Sequence, residues 1–348
     1  MMKRQKGMAL IIVMVAIAIM IIAASTITVR FNRVFFVTSN TLEYQSAGWY
    51  VAGIEGIVKK YMVDSFKKNK EKINKTMVWA QPDQVIPLDD VVISGTVHDE
   101  QACININSLA TNVTGTSSSS SSSSSTNTVD SVFNEATYPV LVFRRLLVDM
   151  GADDTTAQII SDSAVDWLDS DSSTKSAYGA EDQYYANLSR SHVTNQGKFY
   201  DKSELLEIRG MTPELYRRIE PMICALPNTN FKISVNMLTE KQAPLIEALF
   251  LGQLSMEDAV NVIDEQIPEY GWDSAAGFLK TSALASAADS LSGLSTRIEA
   301  SVVVNSSYFV TDIKVQFDQD EFAFKTRFFR DSDTSLVVYQ RLRGELNE

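Results

Sequence analysis

The 348-residue chain carries 31 Lys and Arg against 43 Asp and Glu, for a formal net charge of −12, and is 45% hydrophobic and 21% charged. That is enough material for two domains with cores, and the acidic balance excludes a general nucleic-acid binder, which needs a basic footprint for phosphates. Two cysteines exclude a disulfide-dense scaffold, and two histidines, His98 and His192, leave little for a His-based metal or catalytic site.

Residues 7–29 form a run of 23 uncharged residues, mostly Ile, Val, Met and Ala. As a helix the run spans roughly 34 Å, enough to cross a bilayer's hydrocarbon. Lys3, Arg4 and Lys6 precede it, so its start stays cytoplasmic and the bulk is exported. Ala23-Ala24-Ser25 imitates an ordinary secretory cleavage site, but the apolar run is longer and less broken than such a signal needs.

Beyond the bilayer the helix continues. Tyr50, Ile54, Ile57, Val58 and Tyr61 share one face of a 3.6-residue period, and Lys59, Lys60, Lys67, Lys68 and Lys70 suit a helix C-terminus. Residues 91–98 read as a strand that turns into a second at 104–107. Residues 111–128 are almost wholly Ser, Thr and Asn, with nine consecutive serines at 117–125, and cannot bury a core, so a mobile loop is expected.

From about 138 to 288 the apolar spacing is helical, as in Val140, Phe143, Leu146 and Leu147, or Ala157, Ile160, Ala164 and Trp167. Leu205, Leu206 and Ile208 lead through Gly210 to Thr212, a cap with Pro213 at the first helical position, and residues 233–239 open another such unit. A DNA-binding helix-hairpin-helix usually has a second glycine at the place of Thr212 and lysines nearby. Here the surroundings are acidic, so the hairpins read as packed scaffold. After about 295 strands return at 300–304, 308–310, 313–317, 322–324 and 336–339. Because the early strands need partners, a helical block inserted into one small sheet is simpler than separate α and α+β domains.

Between Asp149 and Asp182 lie nine acidic residues and one basic residue, Lys175. Dense carboxylates among Ser, Thr and Gly suit Ca2+, which takes 6–8 oxygen ligands. An EF-hand is excluded, since counting from Asp169 puts Thr174 at position six and Ala180 at twelve. On composition alone a solvated acidic surface is the simpler reading. Cys103 and Cys224 stand 121 positions apart, and export places both in an oxidising compartment. A bond between them ties the early strands to the helical block; two separately buried thiols are the alternative. No G-x-S-x-G, Walker loop, G-x-G-x-x-G or H-E-x-x-H occurs, so no enzyme signature is present.

The stretch Lys6-Gly7-Met8-Ala9-Leu10-Ile11-Ile12 resembles the class III signal of type IV pilins and type II secretion pseudopilins. The resemblance implies that a prepilin peptidase cuts between Gly7 and Met8 and that Met8 is N-methylated. Ile12 stands where the family usually has glutamate, a departure shared by the K-type minor pseudopilins. Residues 164–171, then Gly179-Ala180-Glu181-Asp182-Gln183-Tyr184-Tyr185, Asn195-Gln196 and Ser203-Glu204-Leu205, are similar in order to the most recognisable part of that K-type family, also called general secretion pathway protein K. The resemblance covers most of the chain.

What it implies is an α+β, pilin-like fold: a long N-terminal helix on a small antiparallel sheet, with a large all-α domain (SAM-like, helix-hairpin-helix) inserted between strands. The divisions would be a leader at 1–7, the membrane half of the helix at 8–29, its periplasmic half and first strands at 30–111, a Ser/Thr-rich loop at 112–136, the inserted helical domain at 137–290 and final strands at 291–348. The resemblance also implies a structural Ca2+, with Asp169, Asp171, Glu181 and Asp182 as ligands and Asn195 or Asp201 as a further donor. The implied role is non-catalytic: a tip complex with I- and J-type minor pseudopilins on an inner-membrane secretion platform, anchored in the inner membrane with its bulk in the periplasm and without nucleic acid. A type IV pilus minor pilin, or a signal-anchored periplasmic binding protein or enzyme, is the alternative.

Overall fold

The computed structural model describes residues 8–344 apart from 83, 89–90, 111–132, 134–135, 268 and 319. The expected leader with Gly7, and nearly all of the expected serine-rich loop, lie outside the described residues.

Helix α1, Met8–Lys68, has 61 residues, about 90 Å at 1.5 Å per residue. It has two halves with different solvents. Every large apolar side chain from Leu10 to Val29 is more than half exposed, which water would penalise and hydrocarbon would not. This half is a single membrane anchor. The second half packs on a sheet.

After α1 come β1 (Gln84–Leu88), β2 (Val91–Asp99), β3 (Ile104–Asn105), β4 (Ile223–Cys224), β5 (Ile233–Ser234), β6 (Val302–Val303), β7 (Tyr308–Gln316), β8 (Glu321–Ser332) and β9 (Ser335–Arg343). Five of them form one sheet in the order β1-β2-β7-β8-β9, antiparallel throughout. Alternate residues turn inward, as the strand period of two requires: Val91 and Ile93, then Phe309, Ile313 and Val315, then Phe324 and Phe328 are buried against Ala47, Val51, Met62 and Phe66 of α1. The expected helix face is therefore displaced. Ile57 and Tyr61 remain 44% and 58% exposed, and the buried line runs about a quarter-turn away through Val51, Glu55, Met62 and Phe66. Glu55 reads as polar in a periodicity search, yet it is buried against Thr326 and Arg341 of the sheet.

The chain leaves this sheet after Asp99 and re-enters at Tyr308, with Asp99 and Phe309 paired across β2 and β7. Between them lie α2 (Tyr138–Asp149), α3 (Asp154–Leu168), α4 (Asp182–Ala186), α5 (Pro213–Ile219), α6 (Ala243–Leu249), α7 (Met256–Asn261), α8 (Ala275–Leu279), α9 (Ser282–Asp289) and α10 (Leu294–Ser301). Phe143, Leu146 and Leu147 of α2, Ile160 and Ala164 of α3, and Leu245, Ile246 and Leu249 of α6 share one core. The expected glycine turn is present: Gly210 has φ +88°, and the Thr212 side chain accepts from the Leu215 amide at the start of α5.

Two expected strands are nearly absent. Ile104, Ile106 and Leu109 join the insert's core, with two residues in β3 and a 3-10 turn at Ile106–Ala110. The alternation that suggested a half-exposed strand arises because Asn105 and Asn107 are also buried. Their amides satisfy backbone groups of Leu226, Asn228 and Phe199. Similarly 300–304 holds the last two residues of α10 and the two-residue β6, which pairs in parallel with β5. The insert's core thus reaches from Ala102 to Val302, wider than 137–290. Residues 308–310 and 313–317 merge into the single strand β7, and β1, an edge strand containing Pro87, was not expected.

Two features brace the root of the insert, where it meets the sheet. Cys103 and Cys224 form a disulfide with Cα atoms 5.9 Å apart, packed with Leu226 and Tyr308. On β8, the Arg327 guanidinium lies 2.6 Å from Glu100 and 3.5 Å from Asp201.

Candidate functional site

The acidic segment is built by the end of α3 and the loop after it. Asp153 caps α3 by accepting from the Thr156 amide, and the helical period then turns Asp162 and Asp166 inward with Ala157, Ile160 and Ala164. Arg144 of α2 and the Ser176 hydroxyl bind the Asp162 carboxylate, so that acid is neutralised. At the end of α3, Asp169 accepts from the Asp171 amide and Asp171 from the Ser173 amide, turns that coil the chain back. The Lys175 amide then reaches Asp166 at 2.9 Å. Gly179 lies so close to the Asp166 carboxylate that any side chain there would collide with it.

The result is a cluster of Asp166, Asp169 and Glu181, whose ligand oxygens lie within 4.8 Å of one another. Asp166 is fully buried, Glu181 is 5% exposed, and neither Glu181 oxygen has a hydrogen-bond partner. Burial, and then the charges of Asp166, Asp169, Asp171 and Asp182, push the Glu181 carboxyl up to about 7. Asp166 is pushed up to about 6, by burial against the pull of the Lys175 amide and with the push of Asp169. Buried carboxylates that repel each other and lack donors are what a cation would satisfy. The cluster can hold a metal ion.

Of the residues expected as ligands, Asp169 and Glu181 enter the cluster. Asp171 stands at its edge, exposed and turned to the Ser173 amide, with its charge acting on both. Asp182 accepts from the Thr194 amide and hydroxyl at 2.7 and 2.6 Å, pinning the loop that follows α4. Asn195 donates to the Lys198 carbonyl, and Asp201 caps the 3-10 turn Lys202–Glu207 while facing Arg327. These last two are not brought to the cluster. Asp166 is the acid missing from the expected set; its signal was the three-residue step to Asp169, which places both near one face of a helix end. Beside the cluster, Trp167 stacks on Phe199 at 6.0 Å and meets the Tyr185 ring edge-on, fixing the helix end that carries Asp166 and Asp169.

Comparison with known proteins places this arrangement. Two family models, both described as type II secretion system (T2SS), protein K, match residues 102–228 and 233–300. The chain is 32% identical to the type II secretion system protein K of Aeromonas hydrophila over 98% of both chains. It is 33% identical to that of Dickeya chrysanthemi over 97% of both. Among solved structures it superposes, with a TM-score of 0.74 and 26% identity, on a chain of the GspK-GspI-GspJ complex from the type 2 secretion system of enterotoxigenic Escherichia coli, covering 89% of this chain and 99% of that one. End-to-end identity above 30% with such relatives, on this fold, shows that the chain belongs to the type II secretion system protein K family.

Proposed function

We propose that the chain is a minor pseudopilin that assembles at the tip of a type II secretion pseudopilus with I- and J-type partners. The single observation that carries this is the near-complete coverage of a chain solved in a GspK-GspI-GspJ complex. The work is assembly, not catalysis. The exposed apolar half of α1 supplies a stem that packs in the membrane and then against sister stems. The bulk held between β2 and β7 obstructs addition of a further subunit above it.

The leader and Ile12 fit the same reading. A basic leader, a glycine and an unbroken apolar run support cutting by a prepilin peptidase after Gly7 and methylation of Met8. An unpaired carboxylate in hydrocarbon is costly, so a first subunit with no predecessor is better served by Ile12 than by glutamate. The inner-membrane secretion platform is the base from which such a filament would grow. The cation is Ca2+, the hard ion suited to an all-oxygen cluster. Asp166, Asp169 and Glu181 would hold it with Asp171 at the edge, and it would supply charge neutralisation that ties the loop after α3 to α4.

Co-expression of the full chain with its I- and J-type neighbours, followed by purification through a tag on this chain, tests the assignment. Recovery of both partners in one complex is expected, together with a mature amino terminus of N-methylated Met8 by mass spectrometry. Recovery of neither partner, with an intact leader or a cut near Ser25, would overturn it.

A further inference from the structure

We propose that Arg30 and Arg33 form a binding site for anionic phospholipid headgroups at the periplasmic face of the membrane that α1 spans. The 22 residues from Met8 to Val29 measure about 33 Å along the helix, close to the hydrocarbon thickness of about 30 Å. Arg30 therefore arrives at the depth of the outer-leaflet phosphates, with Arg33 less than a turn above it. Three residues apart on a helix, the two side chains are neighbours.

Both are exposed, and neither makes an ion pair among the described residues. The next acid along the helix is Glu43, about 15 Å beyond Arg33, so the stem itself does not neutralise them. Around them Phe31, Phe35 and Phe36 are 66%, 59% and 70% exposed, and Phe31 and Phe35 stack with centroids 6.4 Å apart. Exposed phenylalanines beside two basic groups suit a chain at the membrane boundary, the apolar rings reaching toward hydrocarbon while the arginines extend to phosphate.

The charge makes the ligand specific. Basic residues on an exported flank run against the preference that sets orientation, so this pair acts against its own topology unless it is used locally. A guanidinium matches phosphate oxygens in a bidentate fork. Two adjacent uncompensated cations favour a lipid of net negative charge over a zwitterionic one, by about five-fold per arginine.

The test uses the full chain in non-ionic detergent, mixed with equal amounts of phosphatidylglycerol and phosphatidylcholine of identical acyl chains, with retained lipid counted by native mass spectrometry. The natural chain should retain phosphatidylglycerol at least about five-fold over phosphatidylcholine, and inorganic phosphate at 100-fold excess should not displace it. Arg30→Gln with Arg33→Gln should bring the ratio near one, while Arg30→Lys with Arg33→Lys keeps most of the preference. An unchanged ratio in the glutamine variant would overturn the proposal, as would equal loss in both variants or displacement by free phosphate. If the glutamine variant keeps its lipid but no longer co-purifies with neighbouring subunits, the arginines serve a protein carboxylate instead and the proposal fails.

Discussion

Glu55 sits in the seam between α1 and the sheet, 4% exposed. Burial alone would push its carboxyl up. Hydrogen bonds from Arg341, at 2.7 Å to each oxygen, and from the Thr326 hydroxyl outweigh that and hold it below the ordinary glutamate range. Replacing Arg341 with Met leaves the buried charge without its main partner. The expected loss is roughly 2 kcal/mol at pH 7, below the usual cost of breaking a buried pair because the Arg341 side chain is about half in water. A lowered carboxylate pKa contributes stability above the unfolded value near 4.5 and loses it as pH falls through the folded value. The gap between the natural chain and Arg341→Met, read from thermal melts in detergent, should therefore shrink as pH falls from about 5 to about 3; a constant gap would count against the charge as its cause. Periodicity could not show Glu55 as buried, because its partner stands 286 positions later. Asp166 was obscured in a related way: its step to Asp169 is visible in the sequence, but its burial depends on Gly179, whose missing side chain lets the returning loop close on it.

Among elements, the join between β2, β8 and the insert concentrates the buried charge. Asp99 ends β2 and Glu100 follows it; burial pushes Asp99 up to about 6 and Glu100 up to about 7, the latter against the pull of Arg327 and the Tyr339 hydroxyl. A raised carboxyl binds its proton more tightly in the folded chain, so between the unfolded value near 4.5 and about 7 stability increases as pH falls. Urea melts at pH 7.5 and 5.5 should show the natural chain more stable at the lower pH, and Glu100→Gln should flatten that slope. If the variant keeps the full slope, the titration lies elsewhere. The disulfide at the same join closes a loop of 121 residues, worth about 3–5 kcal/mol on the loop-entropy model. Long elements were the most legible ones: the stem, the capped hairpin at Thr212, and strands β7 to β9 all follow from period and capping. Of the two-residue strands, β3 and β6 lie inside expected strands that were read too long, and β4 and β5 were not legible. They exist because distant segments meet, with Ile104 beside Ile223 and Ile233 beside Val302, and no local pattern encodes such a meeting.

For the molecule as a whole, the acid cluster would couple the binding of a cation to the order of the insert. If the cation is Ca2+, a hundredfold excess over its dissociation constant would add about 2.7 kcal/mol by binding the folded state alone. Differential scanning calorimetry of the full chain in detergent should show the insert melting several degrees lower after chelation, and Asp166→Asn should erase the difference. Identical melting with and without Ca2+ in the natural chain would remove the metal from the account. That an insertion exists could be argued from the sequence, because 91–98 needs partners that occur only after 300. Its width could not, since Ile104 and Ile106 look like sheet until the buried amides of Asn105 and Asn107 are known.

The pairing of Asp99 with Phe309 makes the insert an appendage hung from neighbouring points on two adjacent strands, topologically an overgrown hairpin turn. Traction applied to the stem is borne by α1 and the five-stranded sheet, and the load path does not run through the appendage. The ornament is clamped back to the shaft at its root, by Arg327 on Asp201 and by Lys72 on Asp273. Lengthening or trimming the ornament away from those clamps would leave the pairing of β2 with β7 intact.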